Sequence, residues 1–581
     1  MENISPKKFQ EVVDQGFKRL RTYRSSRAMF IKEYVGQYYG DDKGTTGQTP
    51  INLIYHAIRT LIPNIVMRSP ANEIVTDIIP HQPYAELLSL GVDSVEERIN
   101  LKETLRAWLV DAIFAMGVVK VGLCQSDSVL EFGDEEIDPG EIYVELVDLD
   151  NFVFDPNCTS LRDAAFKGDR VCVPRQLLLD SKIYKNSIVE KLPQAGQLTD
   201  KNKVEQLSKR NMSQLEYIEM QDLVNVVNVW SPEANAVVTI PDPSEMRSDD
   251  YIAVQDFYGP KEGLYIELSL TPPVPNNPYS VAPVSIWHDL HKMTNSMFKK
   301  AMNQAERQKS IAVYDPMQVD LAENIRDADD GDLVEGNPDS IKEVSLGGQD
   351  PANIQMIQQL QMWFNYMSGN PDQLAGAKSD ANTATQASIL EANSRVSVED
   401  AKDITYDKTA EISKRIAWYL HNDPLIDLPL AKRKPGGERV QLSLTPEQRE
   451  GDFLEFTFRV KSKSMTHMDP QIRTKRVIEF ATNLMPGVMQ AGMMAQQMGF
   501  PFNIQKAVTE LAEELNIADE IRDWFYDPDF LQRMQMKMMM GPQPTQKGVA
   551  SSAKPAGAGT PQRKAQQERP AESQSMNRGA R

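Results

Sequence analysis

The sequence predicts a mixed α+β fold divided into several domains, and three observations lead to this prediction. The chain has 581 residues, 41% of them hydrophobic, which is enough for more than one buried core. Apolar residues recur at spacings of three and four in some segments and alternate in others, so both helices and strands are expected. The two patterns alternate in residues 1–283, whereas helical spacing dominates from residue 284 onward.

In the first 283 residues, helices come before strands. Residues 7–39 predict a basic amphipathic helix on the surface, favoured over a nucleic-acid-binding arm. Thr49 is the expected N-cap and Pro50 the first residue of the next helix, with a kink at Pro63. Residues 94–117 predict a further helix. Strands are expected in the β-branched and aromatic segments VVKVGLC, EIYVELVDLDNFVFDP, NVVNVW and YIAVQDFYG.

Two apolar-striped helices are predicted on either side of an acidic insert, residues 310–350. The first covers residues 284–309 and the second residues 351–368. The expected stripes are Ile286, Leu290, Met293, Met297, Ala301 and Ala305 in the first helix, and Met356, Leu360, Trp363 and Met367 in the second. The insert has strand-like pieces at IAVYD, DLVEG and IKEVSL. Ten Asp or Glu residues lie in residues 315–343, against Arg326 and Lys342.

A break follows the second helix, in the stretch SGNPDQLAGAKSDANTATQASILEA. Gly369 is suited to a left-handed helix cap, and Pro371 cannot continue the helical hydrogen bonds. A long helix is predicted from near Asn382 to His421, about 60 Å at about 1.5 Å per residue. Its apolar positions change face along its length, so its two halves are expected to pack against different neighbours.

The C-terminal part returns to strands and then helices. VQLSL and FLEFTFRV predict two strands, the second half-buried because Leu454, Phe456, Phe458 and Val460 alternate with polar residues. Residues 470–540 predict helices whose many methionines serve as packing material. Residues 541–581 have too little apolar content to predict a folded domain.

The charge is unevenly distributed. The net charge at pH 7 is −19, and residues 541–581 contain seven Lys or Arg against two Glu, a balance of +5, so residues 1–540 carry −24. A protein that grips duplex DNA usually presents a basic face, because phosphate contacts dominate its affinity. The acidic body therefore argues against DNA wrapping, but it is compatible with a surface that DNA slides past.

Motifs for catalysis, nucleotides and metals are missing from the sequence. It contains no Gly-Lys dipeptide and hence no P-loop, and it has neither a GxSxG nor an HExxH motif. His288 and His291 are favoured as solvated or capping residues over a metal pair. The run DADDGDLVEG fails the EF-hand spacing, since Gly331 replaces an acidic ligand. We expect no catalytic residue, metal or cofactor.

The remaining composition indicates a reducing compartment and no membrane. Cys124, Cys158 and Cys172 include no CxxC pair, so they are expected to be buried thiols and not disulfides or zinc ligands. No apolar run is long enough to span a bilayer, and MENISPKKFQ has no apolar signal core.

The order of these parts resembles the portal proteins of tailed bacteriophages. Local stretches resemble that family too, and the likeness covers about residues 20–535. These stretches are FIKEYVGQYYG, PINLIYHAIRTLIPNIV, LVDLDNFVFDPNCTSLRDAAFKGDR and GNPDQLAGAKSDANTATQASI. In that family twelve copies form a ring at one capsid vertex, around a channel through which double-stranded DNA is packaged and ejected.

The resemblance implies a set of domains for this chain. They are a wing of α/β type in residues 1–283, stem helices in 284–309 and 351–368, a small α/β clip in 310–350, a tunnel loop in 369–381, a long helix with wing strands in 382–467, a helical crown in 468–540 and a disordered basic tail in 541–581. The protein would be assembled in the host cytoplasm and would reside in the virion. Its partners would be a terminase packaging motor, tail or adaptor proteins, and capsid and scaffolding proteins.

Two groups of residues are candidates for function under this resemblance. In the tunnel loop they are Lys378, Asn370, Gln373 and Ser379, as DNA contacts. In the clip they are Asp327, Asp329, Asp330, Asp332 and Glu335, whose mutual repulsion predicts a solvated docking surface for basic partners.

Two alternatives stay open. A packaging nuclease or ATPase would need an acidic metal cluster or a nucleotide loop, which the sequence does not offer. A non-enzymatic virion scaffold or head-tail adaptor also needs no active site, but the α+β block and the helix-insert-helix-loop-helix order disfavour it.

Overall fold

A computed structural model of the chain shows a mixed α+β protein. The structure describes residues 5–35, 51–124, 130–132, 135–137, 140–181, 183–195, 222–317, 319–337, 341–348, 350–369, 371–374, 384–426, 428–433, 439–446, 449–460, 465, 477–497, 507–508 and 511. The chain divides into two compact units, Met1–Thr474 and Lys475–Arg581. The first unit contains almost all of the described elements.

Two helices form the N-terminal part of the first unit. Helix α1 (Pro6–Arg19) has Ser5 as its N-cap, and α2 (Arg21–Val35) begins directly after Leu20. The single helix predicted for residues 7–39 is therefore wrong. The reason is packing: α1 buries its apolar side on a different core from α2, whose Phe30 lies in the main core.

Asparagine residues set two of the next helix boundaries. Helix α3 (Leu53–Ile65) has Asn52 as its N-cap, whose Oδ1 accepts a hydrogen bond from Tyr55 N at 3.0 Å. The predicted start at Thr49 and Pro50 is wrong, because Asn52 provides this cap further along the chain. Pro63 does lie inside the helix.

The predicted helix over residues 94–117 is also wrong, because two helices meet there. Helix α4 (Gln82–Arg98) ends before Asn100, and α5 (Leu101–Phe114) begins after it. Asn100 has φ = 52°, a left-handed conformation that asparagine tolerates and that stops α-helical hydrogen bonding.

Two antiparallel sheets form the β part of this region. The five-stranded sheet has the order β10-β9-β8-β7-β6, and the three-stranded sheet has the order β11-β2-β5. Their strands are β2 (Gly117–Cys124), β5 (Glu141–Val147), β6 (Phe152–Phe154), β7 (Lys167–Pro174), β8 (Leu223–Ser231), β9 (Ala236–Pro241), β10 (Ala253–Asp256) and β11 (Tyr265–Leu268). All four segments predicted as strands in this region are confirmed as such. A small hairpin, β3 (Leu130–Phe132) with β4 (Glu135–Ile137), and the short helices α6 (Arg175–Asp180) and α7 (Asn186–Val189) complete it.

A helix pair and a long helix follow. Their bounds are α8 (Pro283–Glu306), β12 (Lys309–Tyr314), α9 (Val319–Asp327), β13 (Ile341–Leu346), α10 (Pro351–Met367), α11 (Pro371–Leu374) and α12 (Ala384–Asn422). The predicted order of helix, insert, helix and long helix is confirmed; of the loop predicted at 369–381, only Gly369 and the short helix α11 lie within the described residues. Within the insert, the strand expected at DLVEG is wrong, and α9 was not predicted.

Short strand pairs close the first unit. Strand β14 (Leu428–Arg433) pairs with β15 (Arg439–Leu444), and β1 (Asn72–Val75) pairs with β16 (Thr457–Val460). A 3-10 turn, Phe453–Glu455, shortens the predicted strand FLEFTFRV and leaves Leu454 exposed, contrary to the expected half-buried alternation. The main core joins α3, α4 and α5 to the second half of α12.

In the second unit, the described residues are mainly helical. A π-helical segment, Phe480–Leu484, leads into α13 (Met485–Gln497), which carries four of the methionines predicted as packing material. Met494 is 52% exposed, so the packing prediction is wrong for this residue. The predicted C-terminal tail, 541–581, lies outside the described residues.

Candidate functional site

Helices α8 and α10 form an antiparallel pair. Near one end of the pair, Trp287 Nε1 donates a hydrogen bond to Met367 O at 3.2 Å. At the other end, Asn353 Nδ2 donates to Gln304 Oε1 at 2.8 Å. Because the start of each helix contacts the end of the other, the two run in opposite directions and bring both ends of the insert together.

The buried faces of the pair are not the predicted stripes. In α10 the buried positions are Asn353, Ile357, Leu360 and Phe364, and the C-cap residue Ser368 is buried as well. In α8 they are Val284, Trp287, His288, His291, Thr294, Asn295 and Ala301. Of the ten stripe residues, only Ala301 and Leu360 are buried. Trp287 of α8 packs against Phe364 of α10 between the two helices, whereas His288 and Asn295 contact Phe30 and Ile51 outside the pair.

Large apolar side chains of both helices are consequently exposed. They are Ile286, Met293, Met302, Ile354, Met362, Trp363, Tyr366 and Met367. Met293 is 50% exposed and Tyr366 is 77% exposed. Scattered apolar residues are ordinary on a surface, but so many on one pair of helices are typical of an interaction face.

The insert carries a small two-stranded sheet and one helix. Strands β12 and β13 pair in antiparallel register, from Lys309 with Leu346 to Tyr314 with Ile341. In α9, Leu321 is buried against Gly336, where a Cβ atom would lie only 2.2 Å from Leu321 Cδ1. This contact holds Gly336, which follows the acidic residues, against helix α9.

The five acidic residues predicted as a docking surface lie together in one segment and are all exposed. They are Asp327, Asp329, Asp330, Asp332 and Glu335. Asp327 forms a salt bridge with the adjacent Arg326, at 2.8 Å between Nε and Oδ1. Asp332 Oδ2 accepts a hydrogen bond from Asp329 N at 3.0 Å. The predicted exposure is confirmed, and the docking role stays a prediction.

The tunnel-loop candidates fall almost entirely outside the described residues. Asn370, Lys378 and Ser379 are outside them, and Gln373 is described only as part of helix α11. Before the loop, Gly369 has φ = 82°, so the predicted left-handed helix cap is confirmed.

Two contacts join this region to the residues around the start of α3. In the middle of α8, Asn295 accepts a hydrogen bond from Ile51 N at 3.1 Å and donates one to Ile51 O at 2.9 Å. After the end of α10, Oδ1 of Asp372 in α11 lies 2.9 Å from His56 Nε2, and its other carboxylate oxygen accepts a hydrogen bond from Asn365 of α10. These contacts join residues that are distant in the sequence, and no sequence motif predicts them.

The two histidines of α8 belong to the core, so their predicted solvated or capping role is wrong. His288 packs edge-on against Phe30, with ring centroids 5.2 Å apart. His291 is fully buried, and burial, with smaller effects from His288 and Lys292, lowers its pKa to about 4. Where the chain is described, no group of three His, Cys, Asp or Glu residues is arranged to hold a metal.

The cysteines only partly follow the prediction. None of the three forms a disulfide, and Cys158 is buried, where burial raises the pKa of its thiol to about 11. Cys124 and Cys172 are exposed, so the expectation of three buried thiols is wrong for these two. They lie near the ends of strands β2 and β7, where the core no longer covers them.

A buried carboxyl group connects α4, β1 and α12. Glu96 Oε2 accepts a hydrogen bond from Asn72 Nδ2 at 2.8 Å, and Glu96 Oε1 lies 2.6 Å from Ser413 Oγ. Burial raises the pKa of Glu96 to about 8, and the nearby charge of Asp93 acts in the same direction. Burial therefore favours the protonated form of Glu96 near neutral pH.

Comparisons with known proteins add no family assignment. No protein-family model and no curated protein matches this chain. Within the described helices, none is both long and apolar enough to cross a membrane. The function therefore has to be argued from the geometry of the helix pair and its insert.

Proposed function

We propose that this chain is the subunit of a phage portal: a ring at one capsid vertex that forms a channel for genome packaging and ejection. The observation that carries the proposal is the antiparallel pair α8 and α10, on which eight large apolar side chains remain exposed in the single chain. A helix normally buries its apolar stripe against another element. Here the partner surface would come from neighbouring copies.

A closed ring is the assembly that suits these stripes. The exposed apolar residues of α8 and α10 differ in sequence and position, so one copy can present α8 to the α10 of the next copy. Such head-to-tail contacts close into a ring when the rotation between copies fits a whole number of subunits. A twofold dimer would cover only one of the two surfaces.

The electrostatics of the chain agree with a channel that does not hold DNA tightly. Residues 1–540 carry a net charge of −24, and phosphate contacts would dominate any tight DNA complex. Negative walls repel phosphates, which permits transport without stalling. The exposed acidic segment of the insert is the proposed docking surface for a packaging motor and, after filling, for tail or adaptor proteins.

The proposal is tested by viewing the purified full-length protein face-on in the electron microscope and measuring its native mass. We expect closed rings with a central hole and a mass that is a whole multiple of the 65.5 kDa subunit. A preparation that contains only monomers or twofold dimers, over a range of salt and protein concentrations, would contradict the proposal.

A further inference from the structure

A buried ion pair joins the two large sheets of the first unit. Lys120 lies on β2 of the three-stranded sheet, and Asp169 lies on β7 of the five-stranded sheet. Lys120 Nζ is 3.0 Å from Asp169 Oδ1 and 3.2 Å from Asp169 Oδ2. The two side chains are only 11% and 9% exposed. Such a salt bridge adds little stability by itself, because removing both charges from water offsets their attraction.

The surroundings of this pair are largely aromatic. The ring centroid of Tyr265 is 5.9 Å from Lys120 Nζ and 5.5 Å from the ring centroid of Phe152, the residue opposite Asp169 in the sheet. Both aromatic residues are almost fully buried. Transfer of one proton from the ammonium to the carboxylate gives a neutral amine and a neutral acid. Apolar surroundings penalise these neutral groups less than they penalise charges.

The geometry brings the amine and the carboxyl group together for reaction. Because Lys120 Nζ contacts both oxygens of Asp169, it lies next to the carboxyl carbon between them, as nucleophilic attack requires. Tyr265 donates a hydrogen bond to Asp169 Oδ1 at 2.5 Å. Burial, and then the charge of Asp169, raise the pKa of Tyr265 well above its usual range, so its hydroxyl group keeps the proton it donates. A donor at this oxygen stabilises the negative charge that develops there during attack.

We propose that Lys120 and Asp169 form an isopeptide bond in the folded protein, with Tyr265 as the catalytic donor. After proton transfer within the pair, the amine nitrogen attacks Cγ of Asp169, and Tyr265 stabilises the charge on Oδ1. Oδ2 already carries the transferred proton; it takes a second proton from the nitrogen and leaves as water. The ammonium and the carboxylate thus become one amide and one water molecule, without an oxidant, a reductant or a co-reactant.

The bond would hold the two sheets together covalently. Lys120 and Asp169 are 49 residues apart in the chain, so the bond would close a loop and restrict the unfolded state. Both residues belong to the same chain. The inference is therefore independent of the proposed ring and can be tested on single subunits.

Mass spectrometry of the full-length protein tests the bond directly. We expect an intact mass lower than that of the sequence by the mass of one water molecule. After trypsin digestion, residues 107–162 should form one peptide, uncut at Lys120 and joined to residues 168–170. Lys120→Arg keeps the positive charge but cannot form the bond, so it should show the full mass and no joined peptides.

The neighbouring pair of Lys167 and Glu267 is the internal control. It also connects β7 to the three-stranded sheet, with 2.5 Å between Nζ and Oε1, but the hydroxyl group of Tyr265 donates to Asp169. We expect trypsin to cut after Lys167 as usual. Equal linkage of both pairs would show that proximity alone is sufficient and would overturn the role of Tyr265.

Tyr265→Phe tests the catalytic donor. In protein sampled at successive times after a pulse of synthesis, the joined peptides should accumulate at least about tenfold more slowly than in the wild type. An unchanged rate would overturn the role of Tyr265.

The wild-type measurement needs no variant, so it decides the proposal even if substitutions of the buried pair prevent folding. Folded protein that keeps the full mass of its sequence after prolonged incubation would show that Lys120 and Asp169 form a salt bridge only. A joined peptide in which Lys120 is bonded to a carboxyl group other than that of Asp169 would also overturn the proposal.

Discussion

The protonation state of the buried Glu96 side chain determines which hydrogen bonds can form around it. Ser413 Oγ lies 2.6 Å from Glu96 Oε1 and 3.1 Å from Thr409 O, and its one proton can serve only one of them. If Glu96 is protonated, it donates to Ser413 Oγ and leaves the serine proton for Thr409 O. A neutral Glu96 thus satisfies every partner without burying a charge.

We predict that Glu96→Gln makes stability less dependent on pH. The folded-state pKa of about 8 lies above the ordinary glutamate pKa of 4.5. The stabilisation from the protonated form is therefore complete below about pH 4.5 and is lost as the pH rises through 8. Between pH 6 and 9 the wild-type chain should lose about 2–3 kcal/mol of unfolding free energy at this site, and the glutamine variant should not.

Thermal or denaturant unfolding at several pH values measures this difference. Glu97→Gln is the matched control, because Glu97 is the exposed neighbour on the same helix. If the unfolding free energies of the wild type and Glu96→Gln change with pH in the same way, the buried carboxyl group does not have the raised pKa described above.

The loop lysine gives a prediction about function. Lys378 is the only cation between Asn370 and Glu391, and in a ring it would recur once per subunit. Lys378→Glu should leave folding and ring assembly intact but impair DNA packaging or retention, because transient phosphate contacts would become repulsions. If particles with this substitution fill and hold their genome normally, Lys378 does not have the role assigned to it.

At the scale of elements, the exposed stripe of α10 predicts an assembly defect. Tyr366 is 77% exposed on this helix, and Ile79 is 76% exposed near the start of α4. Tyr366→Lys should raise the concentration for half-assembly at least about tenfold, because a large aromatic surface would no longer be buried between copies. Ile79→Lys should assemble as the wild type does.

Native mass measurement over a dilution series compares the two variants. Circular dichroism should give the same melting curve for both, since neither side chain is buried in the single chain. If Tyr366→Lys assembles normally, this part of α10 does not face a neighbouring copy.

The sequence predicts element order well and element boundaries poorly, for physical reasons. Periodicity found the strands β2, β5 and β8 because their β-branched runs are long. It did not find the turn at Leu20, because that boundary depends on two separate cores that α1 and α2 pack against. The sequence does not predict strand β14, because Pro429 lies within it and proline is rare in strands except at edges.

Of the candidate site, the exposed acidic segment could be predicted from the sequence, but the packing of the helix pair could not. Charge density alone indicated that the acidic residues of the insert are exposed. The apolar stripes of α8 and α10 follow from the periodicity of the sequence, but periodicity shows only that a stripe exists and not what covers it. Of the buried residues of α8, Trp287 contacts Met367 and Phe364 of α10, whereas His288 packs against Phe30 of α2, and neither contact can be read from periodicity.

At the scale of the whole molecule, the helix pair also determines how force would travel. Tension applied to the insert reaches both helices at once, since their far ends lie side by side. It then passes through Asn295 to Ile51 and through Asp372 to His56. These two paths end within six residues of each other at the beginning of α3, while the packing of His288 on Phe30 passes part of the load to α2.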